Sequence, residues 1–252
     1  MPQPYDARAP RGLFSLFLWA FFGALIFIGF IALGTWQVHR RAWKLDLIAR
    51  VDQRIHAPAV DAPGPSQWPG ISAASDEYRR VRVTGEYLYD RQVLIWTATD
   101  LGSGYWLMTP LREADGAIVM INRGFVPVDK CKAAATCLPG SSGTVTVTGL
   151  LRMPETRAFL RHNDVAADRW YTRDVEAMAT ARGLTQVAPY FVDADAASPQ
   201  DSGWPRGGLT VVSFPNNHLS YAITWFLLAL GTVLGVGYVL RDGVRSRRGD
   251  VT

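Results

Sequence analysis

The sequence predicts a membrane protein of the α+β class. Two transmembrane helices flank a largely antiparallel β domain, sheet or barrel-like, with a few helices. Three observations carry this. Residues 13–33 and 221–240 are uncharged over 21 and 20 residues, each enough for a helix to cross roughly 30 Å of hydrocarbon. The segment between them is polar, with short alternating runs bounded by Gly, Pro and Asp, the mark of antiparallel strands. The mean hydropathy of +0.04, ordinary for a soluble protein, is therefore the average of two unlike parts.

Taken in order, residues 1–12 form a short tail with Arg8 and Arg11. The first span holds 14 Leu, Ile or Phe residues, which favour insertion by at most about 4–8 kcal/mol. It is long for a signal peptide, and no small-residue cleavage site precedes Gly34–Trp36, so it reads as a retained anchor. Beyond it, Trp36, Trp43, Leu47, Val51 and Ile55 follow spacings of seven and four without a breaker until Pro58. Residues 34–57 are therefore expected to extend the helix. Trp36, Tyr221 and Trp225 are expected in the outer aromatic belt.

Strands follow. Val81 and Val83 alternate with polar neighbours, and residues 93–99 and 105–111 are separated by an Asp100–Gly104 turn. Residues 117–126 come after Asp115-Gly116, a hairpin signal. Residues 144–148 alternate again, and residues 190–192 and 209–214 complete the set. Residues 174–182 read as a short helix, with Asp174 near its N-cap and Gly183 just past its end.

The second span, 221–240, carries Gly231-x-x-x-Gly235 opposite Ala20-x-x-x-Ala24 in the first. Both are close-approach patterns, and packing of the two spans there is expected. Arg241, Arg245, Arg247 and Arg248 follow in the basic tail 241–252. By the positive-inside rule both tails are expected to be cytoplasmic, although Arg40, Arg41, Lys44 and Arg50 oppose this around the first span. Residues 34–220 then form the extracytoplasmic domain.

Composition excludes several classes. With 19% charged and 12% aromatic residues the chain is not disordered. Residues 34–220 carry 20 basic and 19 acidic side chains, so no electrostatic footprint for nucleic acid exists. Phosphate-binding, nucleophile-elbow and zinc-protease motifs are missing, and no enzyme activity is expected. Cys131 and Cys137, spaced C-x5-C, fit a disulfide clip, two free thiols or a metal pair. His39, His56, His162 and His218 have no metal-ligand spacing among them. His56 and His162 read as surface residues. His218 lies at the outer membrane boundary, with Trp225 two turns on along the same helix face. It reads as a haem-iron ligand or as an interfacial histidine. Arg40 and Arg41, emerging on the same side, read as partners of haem propionates or as snorkelling arginines.

GTWQVHRRAWKLDLI after the first span, INRGFVP in the middle and GGLTVVSFPNNHLSYAITWFLLA into the second resemble the Surfeit-locus family of cytochrome c oxidase assembly factors. EYRRVRVTGEY, GYWLMTPL, NDVAADRWYTRDVEAMA and PYFVDAD resemble its intervening blocks. The resemblance covers residues 34–240. It implies an inner-membrane protein that binds haem a and assists its insertion into the oxidase's catalytic subunit, alongside other assembly factors. The alternative is a membrane scaffold that stabilises the nascent subunit without binding haem. The family's His and Trp correspond to His218 and Trp225, with His218 as the iron ligand. His39 matches no family position, and the Cys131/Cys137 insert has no counterpart. The short first tail suggests a bacterial member, with the large domain on the periplasmic side of the inner membrane.

Overall fold

The computed structural model describes residues 12–131, 133–134, 137–138, 142–155, 162–196, 203–210 and 216–249. The chain divides into two compact units, one of residues 1–49 and 213–252, the other Arg50–Val212.

The first unit is an antiparallel helix pair: most of α1 (Leu13–His56) and all of α4 (His218–Gly249). Both helices are long and apolar enough to cross a membrane, and their most apolar windows are only 11% and 6% buried. Core helices of a soluble protein are mostly buried, and these are mostly exposed. Buried and half-buried positions repeat along one face of each helix. On α1 they are Leu16, Ala20, Gly23, Phe30, Gly34, Gln37 and Arg41; on α4 they are His218, Ala222, Trp225, Ala229, Thr232 and Val236. The steps alternate between four and three, with one of seven from Gly23 to Phe30, which is the spacing of a coiled-coil seam.

Close approach occurs on this seam and not where the sequence pattern placed it. A side chain added at Gly23 would strike Val236, one at Gly34 would strike Phe226, and one at Gly243 would strike Leu16. Gly231 and Gly235 have nothing within 4 Å, and Ala24 is exposed. The expected Gly231/Gly235 contact is therefore incorrect: the seam runs through 229, 232 and 236, and both glycines fall beside it. The helix runs on past the apolar span to His56. Trp36 and Trp43 are exposed, whereas Val51 is buried.

The second unit is a small mixed β-barrel. Its strands are β1 (Val60–Asp61), β2 (Arg80–Tyr87), β3 (Val93–Thr99), β4 (Gly102–Arg112), β5 (Ile118–Pro127), β6 (Thr144–Arg152) and β7 (Val187–Ala194). Their order is β1-β2-β6-β7-β5-β4-β3, and β2 also pairs with β4, which closes a ring of five. Closure is made by Glu86 opposite Arg112 and Tyr87 opposite Leu111. Gly85 permits it, because a Cβ there would overlap the Arg112 carbonyl. The pairing is mostly antiparallel, with parallel pairs β1–β2 and β5–β7. The β5–β7 chain path runs through β6 and α3 (Val175–Ala181), the long connection that parallel strands need.

The turns follow their residues. Gly102 (φ +101°) and Gly116 (φ +89°) take the left-handed conformations that end the β3–β4 and β4–β5 connections. Asp115 Oδ1 accepts the Ala117 N–H at 2.9 Å. Asp174 caps α3 by accepting the Ala177 N–H at 3.1 Å, and Gly183 follows the helix at φ +63°. Strand β5 is buried on both faces, as a central barrel strand must be. One core cluster joins Val81, Val83, Leu111, Ile121, Leu151 and Tyr190; another joins Ile95, Met108, Met120, Trp170, Met178 and Phe191. Of the expected strand at 209–214, Leu209 and Thr210 lie outside any strand, and 211–215 lie outside the described residues.

Candidate functional site

His218 is the first residue of α4, and its seam position turns it toward α1. There Nδ1 lies 2.7 Å from Gln37 Oε1. Both side chains are half-buried. Seven residues on, Trp225 occupies the same seam and stacks on Phe30, with ring centroids 5.6 Å apart. The shared helix face expected for His218 and Trp225 is thus present, and it faces the partner helix. Around it, apolar side chains point outward, including Trp36, Tyr221 and Ile223, which are 56%, 55% and 51% exposed.

Arg40 and Arg41 lie three and four positions beyond Gln37, on its side of α1. The two differ. Arg41 is half-buried on the seam, while Arg40 is exposed, its guanidinium 4.1 Å above the Trp43 ring. The structure thus brings His218, Gln37 and Trp225 onto one seam and sets Arg41 one turn further along it. His39 is exposed, and His56 is an exposed residue bonded to the Asp52 carbonyl at 2.9 Å. His162 is exposed too. Among the described residues no three His, Cys, Asp or Glu side chains gather as a metal cluster.

Gln37 is absent from the residues singled out by sequence. The signal for it was its place between Trp36 and the arginines, where the seam puts an amide one turn beyond the small and apolar positions Phe30 and Gly34. Its partner is 181 residues away, a distance no local pattern spans.

The barrel holds a second polar constellation. Asp193, 4% exposed, accepts from Asn122 Nδ2 at 2.8 Å, Arg152 Nη1 at 3.1 Å and Thr210 Oγ1 at 2.9 Å. Arg173 reaches it at 3.4 Å and also binds Glu155. Arg152 pairs with Glu77 at 3.4 Å as well. Burial alone would lower the Arg173 pKa, but the Glu155 hydrogen bond and the Asp193 and Glu155 charges reverse this and raise it. Asn122, Arg152, Arg173, Asp193 and Thr210 line a cleft of about 480 Å³ with Trp106 and Leu209. Both guanidinium groups already have carboxylate partners, so the cleft presents a satisfied network and no spare positive charge. A cavity of about 600 Å³ elsewhere on the barrel is lined by Trp96, Tyr105, Trp170 and Tyr171.

Most of the sequence blocks quoted above build this unit. In INRGFVP, Asn122 holds Asp193, and Arg123 donates to Gln92 Oε1 at 3.2 Å and to the Leu138 carbonyl at 3.0 Å. Gly124, at φ +125°, lies against the Arg206 carbonyl, where a Cβ does not fit. Gln92 in turn donates to the Cys137 carbonyl at 3.0 Å. Cys131 and Cys137 are paired, with Cα atoms 5.0 Å apart, against Leu107 and Val126.

A family model for the SURF1 family matches residues 24–230, a stretch that begins in α1, crosses the whole barrel and ends in α4. The chain belongs to the SURF1 family. Surfeit locus protein 1 of Mus musculus is 35% identical over 217 residues, covering 79% of this chain and 68% of its own. The Homo sapiens protein of the same name is 34% identical over 226 residues, covering 82% and 73%. A SURF1-like protein of Monosiga brevicollis is 34% identical over 225 residues, covering 84% and 83%. SURF1 membership matches the Surfeit-locus family of cytochrome c oxidase assembly factors that the sequence blocks resemble. Both Gln37 and His218 fall within the matched span.

Proposed function

We propose that this SURF1-family chain binds haem a at the His218 end of its helix pair and assists its insertion into the cytochrome c oxidase catalytic subunit. The observation that carries the reading is His218 itself. It is a half-buried imidazole on a two-helix seam, with one ring nitrogen engaged and apolar side chains exposed around it. The donor chemistry fits haem, whose iron accepts an imidazole nitrogen and whose macrocycle prefers apolar surface. In this reading His218 ligates, Trp225 holds the helix face next to it through Phe30, and Arg40 and Arg41 bind the propionates. The haem supplies the iron; the chain supplies a ligand, orientation and shelter from water. No bond is made or broken in substrate, so the role is that of a chaperone.

We place the protein in a bacterial inner membrane. Both tails are then cytoplasmic, and the barrel is periplasmic, beside the oxidase subunit and other assembly factors. An oxidising compartment suits the Cys131–Cys137 pair, which we assign as a clip on one barrel loop. Replacing both cysteines by serine is expected to cost about 2 kcal/mol for so short a loop, read by denaturant unfolding under oxidising conditions.

The test is haem content. The whole chain, purified in detergent from cells that make haem a, is expected to show a Soret band. His218→Ala is expected to lower it tenfold or more. An unchanged haem content in that variant overturns the ligand assignment. Full oxidase assembly by a haem-free His218→Ala protein would favour the scaffold role, carried by the barrel.

A further inference from the structure

The 2.7 Å contact between His218 Nδ1 and Gln37 Oε1 bears on which ring nitrogen is free. An amide oxygen has lone pairs and no hydrogen, so the bond requires the proton to sit on Nδ1. A neutral imidazole protonated at Nδ1 has a bare lone pair on Nε2. We propose that Gln37 is the positioning residue of the site: it fixes His218 in the Nδ1–H form and presents Nε2 to iron. The inference rests on the haem reading above and adds to it the residue that sets the ligand's tautomer and direction.

Three further observations support it. Gln37 lies on the α1 seam, with Gly34 and Phe30 on its N-terminal side. At such a position an apolar side chain would pair the helices more favourably, so an amide there costs stability unless a polar partner meets it. Both side chains are half-buried, which reduces competition from water for the hydrogen bond. The bond also runs between the two helices, from residue 37 to residue 218, so the ring plane is held from both sides of the seam. An accepting oxygen on Nδ1–H fixes tautomer and ring orientation, as it does for histidines that ligate metals elsewhere.

The experiment has two arms, on the whole chain in detergent with 15N-labelled histidine. In the first, without haem, long-range proton–nitrogen correlations report the His218 tautomer, with the signal assigned by its loss in His218→Ala. The wild type is expected to show Nδ1–H with an unprotonated Nε2. Gln37→Leu, which suits a seam position, is expected to shift the ring toward Nε2–H, the form favoured by free imidazole. Gln37→Glu keeps an acceptor and is expected to retain Nδ1–H. In the second arm, haem a is titrated into each variant and followed at the Soret band. Gln37→Leu is expected to weaken binding about 10- to 100-fold, with Gln37→Glu restoring it.

A wild-type ring protonated at Nε2 overturns the proposal. So does a Gln37→Leu variant with unchanged haem affinity while His218→Ala still loses haem. If His218→Ala binds haem like the wild type, the haem reading itself fails, whatever the tautomer arm reports. The two failures are thus separable.

Discussion

In the barrel, one carboxylate, Asp193, holds Asn122, Arg152, Arg173 and Thr210 from strands and segments far apart in sequence. In the helix pair, the seam is built mostly from small and apolar residues, and the His218–Gln37 bond is a polar contact across it. The difference teaches where charge serves the fold and where chemistry is left available. Arg152 and Arg173 of the barrel are matched by carboxylates, so their removal should appear as lost stability. The helix pair has a polar pair that its packing does not require, so its removal should appear as lost function.

The sharpest way to break this contrast is Asp193→Ala. It leaves two largely buried guanidinium groups without their shared acceptor, and we expect a loss of about 3–5 kcal/mol in denaturant unfolding of the barrel. A cost under about 1 kcal/mol would show that the network is not what holds β5, β6 and β7 together. Haem binding per folded molecule should be unchanged, because Asp193 is assigned to the fold alone.

The helix pair is probed next by contrast within itself. Gly23→Leu forces a side chain into Val236, and we expect weaker association of separately expressed helices by about 1–3 kcal/mol. Gly235→Leu points into open space and should leave association as it was. Equal effects at the two positions would show that the seam is wrongly placed.

The smallest effect is a pH dependence confined to the barrel. Burial pushes the Tyr87 phenol up to about 12 from its ordinary value near 10; the Arg123 charge opposes this and Tyr89 adds to it. The folded state thus favours the neutral phenol. Its stabilisation is complete below pH 10 and is lost as the pH rises toward 12. Tyr87→Phe should flatten that part of the alkaline limb in unfolding measurements, and an unchanged limb would remove Tyr87 from its cause.

Much of the fold was legible in the residues. Strand β3 spans Val93–Thr99 as its flanking turn signals indicated, and α3 begins after its Asp174 cap. Both depend on neighbours in sequence. What escaped depends on distant partners. The two-residue strand β1 has no pattern of its own and exists because β2 lies beside it. The parallel β5–β7 pairing and the closure at Gly85 follow from topology, which alternation does not encode. At the site, His218 and Trp225 were visible because seven residues return a helix to the same face. Gln37 and Phe30 were not, because their roles are set by the opposing helix. The glycine pattern in the second span misled for a related reason: spacing alone does not say which stripe of a helix meets its neighbour.

The seam also bears on register. A repeating seam tolerates sliding in steps of seven, since each step sets one stripe of small and apolar residues against another of the same kind. One such slide would put His218 opposite Phe30 or Lys44 in place of Gln37. Neither offers the imidazole a hydrogen-bond acceptor. The amide–imidazole pair therefore acts as an index mark: of the alignments that the seam allows, it singles out one, and with it the height at which the ring stands.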